Sequence, residues 1–222
     1  MIRLLVGVLV FVINTVYRDR PIPRFYVLET VARVPYFSYV SVLHLYETMG
    51  WWRKADWLKV HFAESWNELH HLLIMEDLGG DKRWADRFLA RHVALLYYWI
   101  IVLLYLVNPN GAYNFMELVE GHAYKSYNNF LKENEADLKG KPAPQVAIQY
   151  YRDGDLYLFD EFQTGTKLEI RRPSVDNLYD VFVNIRADEQ EHVKTMVACQ
   201  QPDAQLSLKS PHSPVPLSNP IS

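Results

Sequence analysis

The chain has 222 residues, half of them apolar, which is enough for one well-buried core, and acidic residues slightly outnumber Lys and Arg, giving a formal charge of −3. With both signs interspersed there is no basic stripe to track a phosphate backbone, which excludes nucleic acid as a partner class. A single cysteine, Cys199, excludes an internal disulfide and a CxxC metal site, and it is read as a buried or near-surface thiol without a role.

Residues 1–19 begin with Arg3 before an apolar run. The continuation NTVYRDRPIP has no small-residue cleavage pattern, so a retained interfacial segment is expected rather than a removed signal. No Ser/Arg-rich, acid-poor import leader is present in the chain as given. RPIPRF separates this segment from a second helical pattern that runs to about Gly50, with a kink expected at Pro35. GWWRKADW then sets Trp51, Trp52 and Trp57 beside Arg53 and Lys54, a composition suited to headgroup depth, with an aromatic corner of the core as the alternative. The use of 15 tyrosines and 6 tryptophans also hints at an interface.

A helix is expected from an Asp56 cap to Leu78, stopped by Gly79 and Gly80. Asp81 is the expected cap of the next, which passes through ALLYYWIIVLLYLV to a turn at NPNG, Asn108 to Gly111. Its uninterrupted apolar run, Val93 to Val107, is shorter than the about 20 residues a spanning helix needs, so the chain is expected to lie on a membrane without crossing it. A fourth helix covers about Ala112 to Leu131. Residues 132–173 read as a loop-rich insertion punctuated by KGKPAPQ, RDGD and QTGTK, with short apolar pieces at Val146 to Tyr151 and Leu156 to Phe162. Ser174 is the expected cap of a last helix that ends near Cys199. Residues 200–222, rich in Pro and Ser, are expected to be a disordered tail, which leaves 20–199 as one domain.

The chemistry concentrates in ESWNELHHLL. A helical residue advances about 100°, so His71 lies only about 60° round from Glu68 while His70 lies about 160° away. The same arithmetic pairs Glu189 with His192 in RADEQEH and turns Glu191 aside. Bundles that hold two iron or manganese ions use a Glu-x-x-His from each of two helices and one Glu from each of the other two. Glu29 in VLET and Glu120 in LVEGHAY supply those two. Four carboxylates balance two divalent cations and can bridge them, whereas unpaired in an apolar core they would be too costly to keep ionised. The expected fold is therefore all-α, a ferritin-like four-helix bundle holding a di-metal centre, with added interfacial helices. Each residue also has a plainer reading: Glu29 as partner of Arg33, Glu120 of Lys125, His71 as a hydrogen-bonded core histidine, Glu189 within a charge run with Asp188 and Glu191.

Tyr113, Met116, Ala123, Tyr124 and Tyr127 share the face of Glu120, and Tyr127 is about 20° from it in phase. Tyr127 can serve as a redox tyrosine or as a packed core tyrosine. His44, His61, His92, His122 and His212 have no clear ligand partner, and surface or structural roles are expected for them.

VLETVARVPYFSYVSVLHLYETMGWWRKADWLKVHFAESWNELHHLLIMEDLGG, VEGHAYKSY, GDLYLFDEFQT and NLYDVFVNIRADEQEH resemble the plastid terminal oxidases, the photosynthetic branch of the alternative oxidase family, over roughly Tyr17 to Gln200. The resemblance implies a non-haem di-iron quinol oxidase bound to one leaflet. Such an enzyme takes electrons from plastoquinol and reduces O2 to water without pumping protons. By matching position the iron ligands fall on Glu29, Glu68, His71, Glu120, Glu189 and His192, and the redox tyrosine on Tyr127. The implied quinol pocket is lined by Arg24, Leu28, Ala123 and Ser126. Asn67 and Asp188 occupy positions that would orient the ligands by hydrogen bonds. A homodimer is usual in such families.

The mitochondrial branch typically reads Asn-Glu-Arg-Met-His and Leu-Glu-Glu-Glu-Ala where this chain has Asn67 to His71 and Val119 to Ala123. With the LYLFDEFQT segment, these differences favour plastoquinol over ubiquinol. The short tail and missing leader are closer to a cyanobacterial or cyanophage form, working at thylakoid membranes. The competing functions are a ubiquinol-oxidising relative, a ferritin-like iron-handling protein that needs no quinol pocket, and an interfacial bundle with no metal.

Overall fold

The computed structural model describes residues 2–50, 55–153, 156–159 and 173–201. Its helices are α1 (Ile2–Val16), α2 (Pro21–Ala32), α3 (Val34–Thr48), α4 (Ala55–Asp77), α5 (Trp84–Val107), α6 (Pro109–Lys139), α7 (Gln145–Tyr151) and α8 (Leu178–Cys199). No strand occurs among the described residues, only an isolated bridge between Pro142 and Asn177. Four bundle positions are filled by α2 continued as α3, by α4, by α6 and by α8. The broadest contact joins α6 to α8; α2 and α3 both pack on α4 and on α5, α1 lies beside α6, and α7 rests on α4.

The core stripes are long and mostly apolar. On α8 the buried residues Leu178, Val181, Phe182, Ile185, Glu189, His192, Met196 and Cys199 recur every three or four positions, which is one face of a helix. Along α6 and α8 the apolar residues belong to one cluster on one side of the acid and histidine positions and to a second cluster on the other. The first holds Phe25, Tyr127, Phe130, Phe182 and Ile185, and the second Tyr36, Tyr39, Tyr113, Met116 and Met196. The polar residues therefore form a layer within the bundle. The tyrosines are largely interior, Tyr26, Tyr36, Tyr39, Tyr105, Tyr113, Tyr127, Tyr150 and Tyr151 being fully buried, so their abundance reflects hydrogen-bonded core packing more than an interface.

Several boundaries differ from expectation. The helix break falls at Arg33 rather than at Pro35, because a proline excludes the hydrogen bond to the residue four back and is tolerated in the first turn of α3, where that donor is not needed. Arg33 keeps helical angles (φ −65°, ψ −21°), so α2 and α3 occupy one kinked bundle position. NPNG is the start of α6 and not a separate turn: Asn108 is the N-cap, its side chain accepts from the Gly111 amide at 2.9 Å, and Pro109 opens the helix. The helix also continues past Leu131 to Lys139, since Leu138 buries on the same side and Lys139–Glu135 and Lys141–Asp137 ion pairs (2.6 Å each) line the exposed side. The piece from Val146 to Tyr151 is α7.

Asp56 is already inside α4, Arg83 occupies the N-cap of α5 without a capping bond, and α8 is capped by Asn177, which accepts from the Asp180 amide at 3.1 Å. Ser174 instead bonds Asp176, because the bridge to Pro142 and the Leu178 amide bond to the Lys141 carbonyl (2.9 Å) fix the entry of α8 three residues later. Trp51, Trp52, Arg53 and Lys54 lie outside the described residues, as do His212 and the tail from 202 onward. Trp57 is buried against Tyr113 and His61, which makes it part of the core.

The end of α4 is sharp. Gly79 takes φ +81°, its amide bonds the Glu76 carbonyl and the Gly80 amide bonds the Met75 carbonyl, both at 2.8 Å. A Cβ on Gly80 would stand 2.7 Å from Tyr26 Cβ and 2.9 Å from the Met75 carbonyl oxygen. Gly80→Ala must push α2 away from the end of α4, and it is expected to lower unfolding stability by about 1–3 kcal/mol in denaturant titration.

Helix α5 is 24 residues long and, by length and composition alone, apolar enough to cross a bilayer, which the count of uninterrupted apolar residues missed because Arg91 and His92 break the run but not the helix. One side packs on α2 and α3, and Asp86 near its start is ion-paired with Arg20 and accepts from the Tyr17 hydroxyl. The other side exposes Trp84, Phe88, Leu95, Leu96, Trp99 and Leu103.

Candidate metal centre

Glu29 from α2, Glu68 and His71 from α4, Glu120 from α6, and Glu189 and His192 from α8 converge in the polar layer, none more than 2 % exposed. They form two overlapping groups. In Glu29, Glu68, His71 and Glu189, and again in Glu68, Glu120, Glu189 and His192, one donor atom from each residue lies within 4.8 Å of the others. Glu68 and Glu189 belong to both. His71 Nδ1 stands 3.6 Å from Glu29, 3.3 Å from Glu189 and 3.9 Å from Glu68, and His192 Nδ1 is 2.9 Å from Glu68.

The donor set fits two divalent cations. Both carboxylate oxygens of Glu68 and of Glu189, one each of Glu29 and Glu120, and His71 Nδ1 are buried and have no hydrogen-bond partner. A buried acceptor left in this way costs on the order of 1–3 kcal/mol, and six of them aimed at one place call for positive charge between them. Two shared carboxylates, one terminal carboxylate and one imidazole per group make a symmetric set of hard oxygen and imidazole donors, suited to iron or manganese.

Without cations these groups cannot all carry their usual charges. Burial, then the neighbouring carboxylates, lifts Glu68 and Glu189 well above the ordinary range, and burial lifts Glu120 to about 7. Burial also pushes Glu29 up, but the charge of the His71 imidazole 3.6 Å away outweighs it and holds Glu29 below normal. Burial would lower His71, yet its bond to Asp188 and the nearby Glu29 carboxylate raise it to about 10, while burial and the proximity of His71 bring His192 down to about 3. Because the raised carboxyls must lose protons on binding metal, affinity is expected to rise with pH. Metal titrations at about pH 6 and about pH 8 in a weakly chelating buffer check the sign, tighter binding at the higher pH being the expected result.

The supports of the layer are specific. Asp188 accepts from Asn67 (3.0 Å), Tyr151 (2.8 Å), Tyr157 (2.5 Å) and His71 Nε2 (3.2 Å), so Asn67 and Asp188 do meet, and Nδ1 of His71 is left facing the acids. His70 points elsewhere: its Nδ1 bonds the Trp66 carbonyl at 2.8 Å and its ring stacks on Tyr150. Tyr127, stacked on Phe25 with ring centroids 4.3 Å apart, donates to Glu29. Tyr36 donates to Glu120 at 2.6 Å. Tyr36 follows Glu29 by the same two helical turns that separate Tyr127 from Glu120, and each tyrosine bonds the other helix's glutamate. That repeated spacing was the sequence signal for Tyr36. Tyr151 and Tyr157 gave none, since nothing local ties them to Asp188.

Of the four candidate quinol residues, Ser126 is buried and Arg24, Leu28 and Ala123 are half-buried. Arg24 reaches Asn14 of α1 (3.1 Å), lies over the Phe25 ring and is within the electrostatic reach of Tyr127. Its Nε is buried without a hydrogen-bond partner. His122, expected to be structural, bonds Ser126 at 3.3 Å and lies near enough to Arg24 for that charge to lower its basicity after burial has done so.

Residues 2–201 match the family model described as alternative oxidase. The chain is 62 % identical over 202 residues to ubiquinol oxidase 4, chloroplastic/chromoplastic, of Arabidopsis thaliana, covering 91 % of this chain and 57 % of the relative. It is 31 % identical over 170 residues to ubiquinol oxidase 2, mitochondrial, of Glycine max, covering 76 % and 45 %, and 31 % identical to ubiquinol oxidase, mitochondrial, of Mangifera indica, covering 76 % and 47 %. The chain thus spans about half the length of the curated relatives it matches.

Proposed function

The chain belongs to the alternative oxidase family, and from that premise we propose that it is a membrane-bound plastoquinol:oxygen oxidoreductase, its two irons held by Glu29, Glu68, His71, Glu120, Glu189 and His192. The observation that carries the reading is the cluster of buried, unpartnered carboxylate oxygens shared by two overlapping four-residue groups. Plastoquinol is favoured over ubiquinol because the chain is twice as similar to its chloroplast relative as to the mitochondrial ones and carries the plastid-type segments. A ferritin-like iron store would have no use for the wide apolar face of α5.

Bound there, an iron pair supplies electron storage and open positions for oxygen. Glu68 and Glu189, which belong to both groups, would hold both cations, Asp188 fixes the ring of His71, and the two flanking apolar clusters exclude bulk water. Quinol enters from the lipid beside α1, α2 and α6, where Arg24 and Ser126 orient its hydroxyls against Leu28 and Ala123. Tyr127, between this pocket and Glu29, passes the proton and electron inward. Two quinols provide the four electrons and four protons that convert O2 into two waters, and the reading includes no proton pumping.

The exposed apolar sides of α5 and of α1, where Phe11, Val12 and Val16 face outward, support attachment to one leaflet, at the thylakoid membrane. The family resemblance supports a homodimer. The deciding experiment is oxygen uptake by purified, iron-loaded protein given a plastoquinol analogue. Quinol-dependent uptake that is lost in Glu189→Ala is expected; bound iron with no quinol-dependent uptake would return the chain to the iron-storage reading.

A further inference from the structure

Glu64 is the acid of ESWNELHHLL that the metal layer does not use. It lies one turn before Glu68 on α4 and is wholly buried, as is His61. His61 Nδ1 is 2.9 Å from Glu64 Oε2, and His61 Nε2 is 2.9 Å from the hydroxyl of Tyr113. Tyr113 in turn shares a 2.6 Å hydrogen bond with Tyr105; Tyr39 packs on both rings and Trp57 on that of Tyr113. This buried chain of carboxyl, imidazole and phenol lies in the second apolar cluster, on the side of the polar layer away from Tyr127.

Helix α6 gives it a defined relation to the metal layer. Tyr113 precedes Glu120 by seven residues and Tyr127 follows it by seven, so the two phenols stand about 10 Å of helical rise to either side. Between Tyr113 and the layer lies Tyr36. Its ring is stacked near His61, with centroids 6.2 Å apart, it meets His192 edge-on at 5.6 Å, and its hydroxyl bonds Glu120. A continuous aromatic path therefore links Tyr113 to two members of the metal layer.

We propose that Tyr113, with His61 as proton acceptor and Glu64 behind it, is a second redox tyrosine of this oxidase, separate from the quinol-facing Tyr127. The proposal rests on the oxidase reading, because the oxidant is the dioxygen-derived oxidant at the metal pair. In the step, one electron leaves Tyr113 by way of Tyr36 and reduces that oxidant by one equivalent. The phenolic O–H bond breaks and its proton goes to His61 Nε2, while Nδ1–H donates to a carboxyl oxygen of Glu64. The products are a neutral tyrosyl radical and an imidazolium. An electron delivered later from quinol and return of the proton restore the phenol. The site stores an oxidising equivalent when quinol is scarce.

Three features suit Tyr113 to this better than its neighbours. Its hydroxyl is 2.9 Å from His61 Nε2, a nitrogen outside the metal layer, so the proton that leaves with the electron stays off the ligands. Burial keeps His61 neutral at rest, and with Nδ1 directed at Glu64 its Nε2 lone pair faces the Tyr113 hydroxyl, with the Glu64 carboxyl oxygen placed to support the imidazolium that forms. Tyr36 has its hydroxyl committed to Glu120, a member of the metal layer, so its oxidation would put a proton onto a ligand.

The test is freeze-quench electron paramagnetic resonance of iron-loaded protein, reduced with dithionite in the absence of quinol and mixed with O2. In the Tyr127→Phe background a tyrosyl radical is expected to persist. It is expected to disappear in Tyr127→Phe/Tyr113→Phe, and also in Tyr127→Phe/His61→Gln, which keeps the phenol but removes the imidazole. Tyr105→Phe in the same background removes a buried hydroxyl from the network yet should retain the radical, a result that a merely structural role for the network does not give. Absence of a radical in Tyr127→Phe, its survival without Tyr113, or its loss with Tyr105 overturns the proposal while quinol-driven uptake by the wild type keeps the oxidase reading intact. Failure of the wild type to bind iron or oxidise quinol overturns both.

Discussion

Glu68→Leu is expected to lose both metal ions together and to abolish quinol-dependent oxygen uptake, while its metal-free form becomes more stable than the metal-free wild type. Glu68 contributes to both four-residue groups, and neither of its buried oxygens has a hydrogen-bond partner. Deleting it therefore removes a ligand from each group. In the metal-free protein the same side chain is a liability. Burial and the nearby Glu189, Glu29 and Glu120 force it toward the neutral acid, and the desolvation cost remains unreturned. A leucine of similar volume removes that cost, worth about 1–3 kcal/mol, without opening a large cavity. Metal content by elemental analysis and thermal unfolding with and without chelator read the two effects separately. A variant that keeps its metal, or whose metal-free form melts below that of the wild type, contradicts the account.

Tyr127→Phe is expected to keep full iron content and to lose quinol-driven turnover by about a hundredfold or more, the scale of a positioned proton donor. The ring is fixed by stacking on Phe25, which phenylalanine retains, so the substitution removes only the hydroxyl that donates to Glu29. Glu29 also faces His71, so its position does not depend on Tyr127 alone. Oxygen uptake and iron analysis on the same preparation check the pair of outcomes. Full activity would remove Tyr127 from the mechanism and leave it as packing.

Much of the layer was legible because helical phase is a property of sequence. Glu68 and His71 share a face at a spacing of three whatever surrounds them, as do Glu189 and His192, and the acids Glu29 and Glu120 were visible as charges in apolar stripes. The resemblance over most of the chain pointed to the same six residues. Helix ends were less legible. Asn108, Asn177 and Arg33 mark boundaries set by a capping side chain, by a bridge to Pro142 and by a proline two residues on, and each differs from the nearest plausible signal by a few positions.

What the sequence determined by itself is the all-α character and the six residues, because these follow from local periodicity and residue chemistry. What only the tertiary structure decided is which side chains meet across helices. Asp188 gathers donors from α4, α7 and the segment at Tyr157, the two tyrosines bond crosswise to Glu120 and Glu29, and Glu64 is tied through His61 to Tyr113. Apart from the His61–Glu64 bond within α4, such bonds join residues distant in the chain, and their geometry is fixed by helix packing rather than by spacing along one helix.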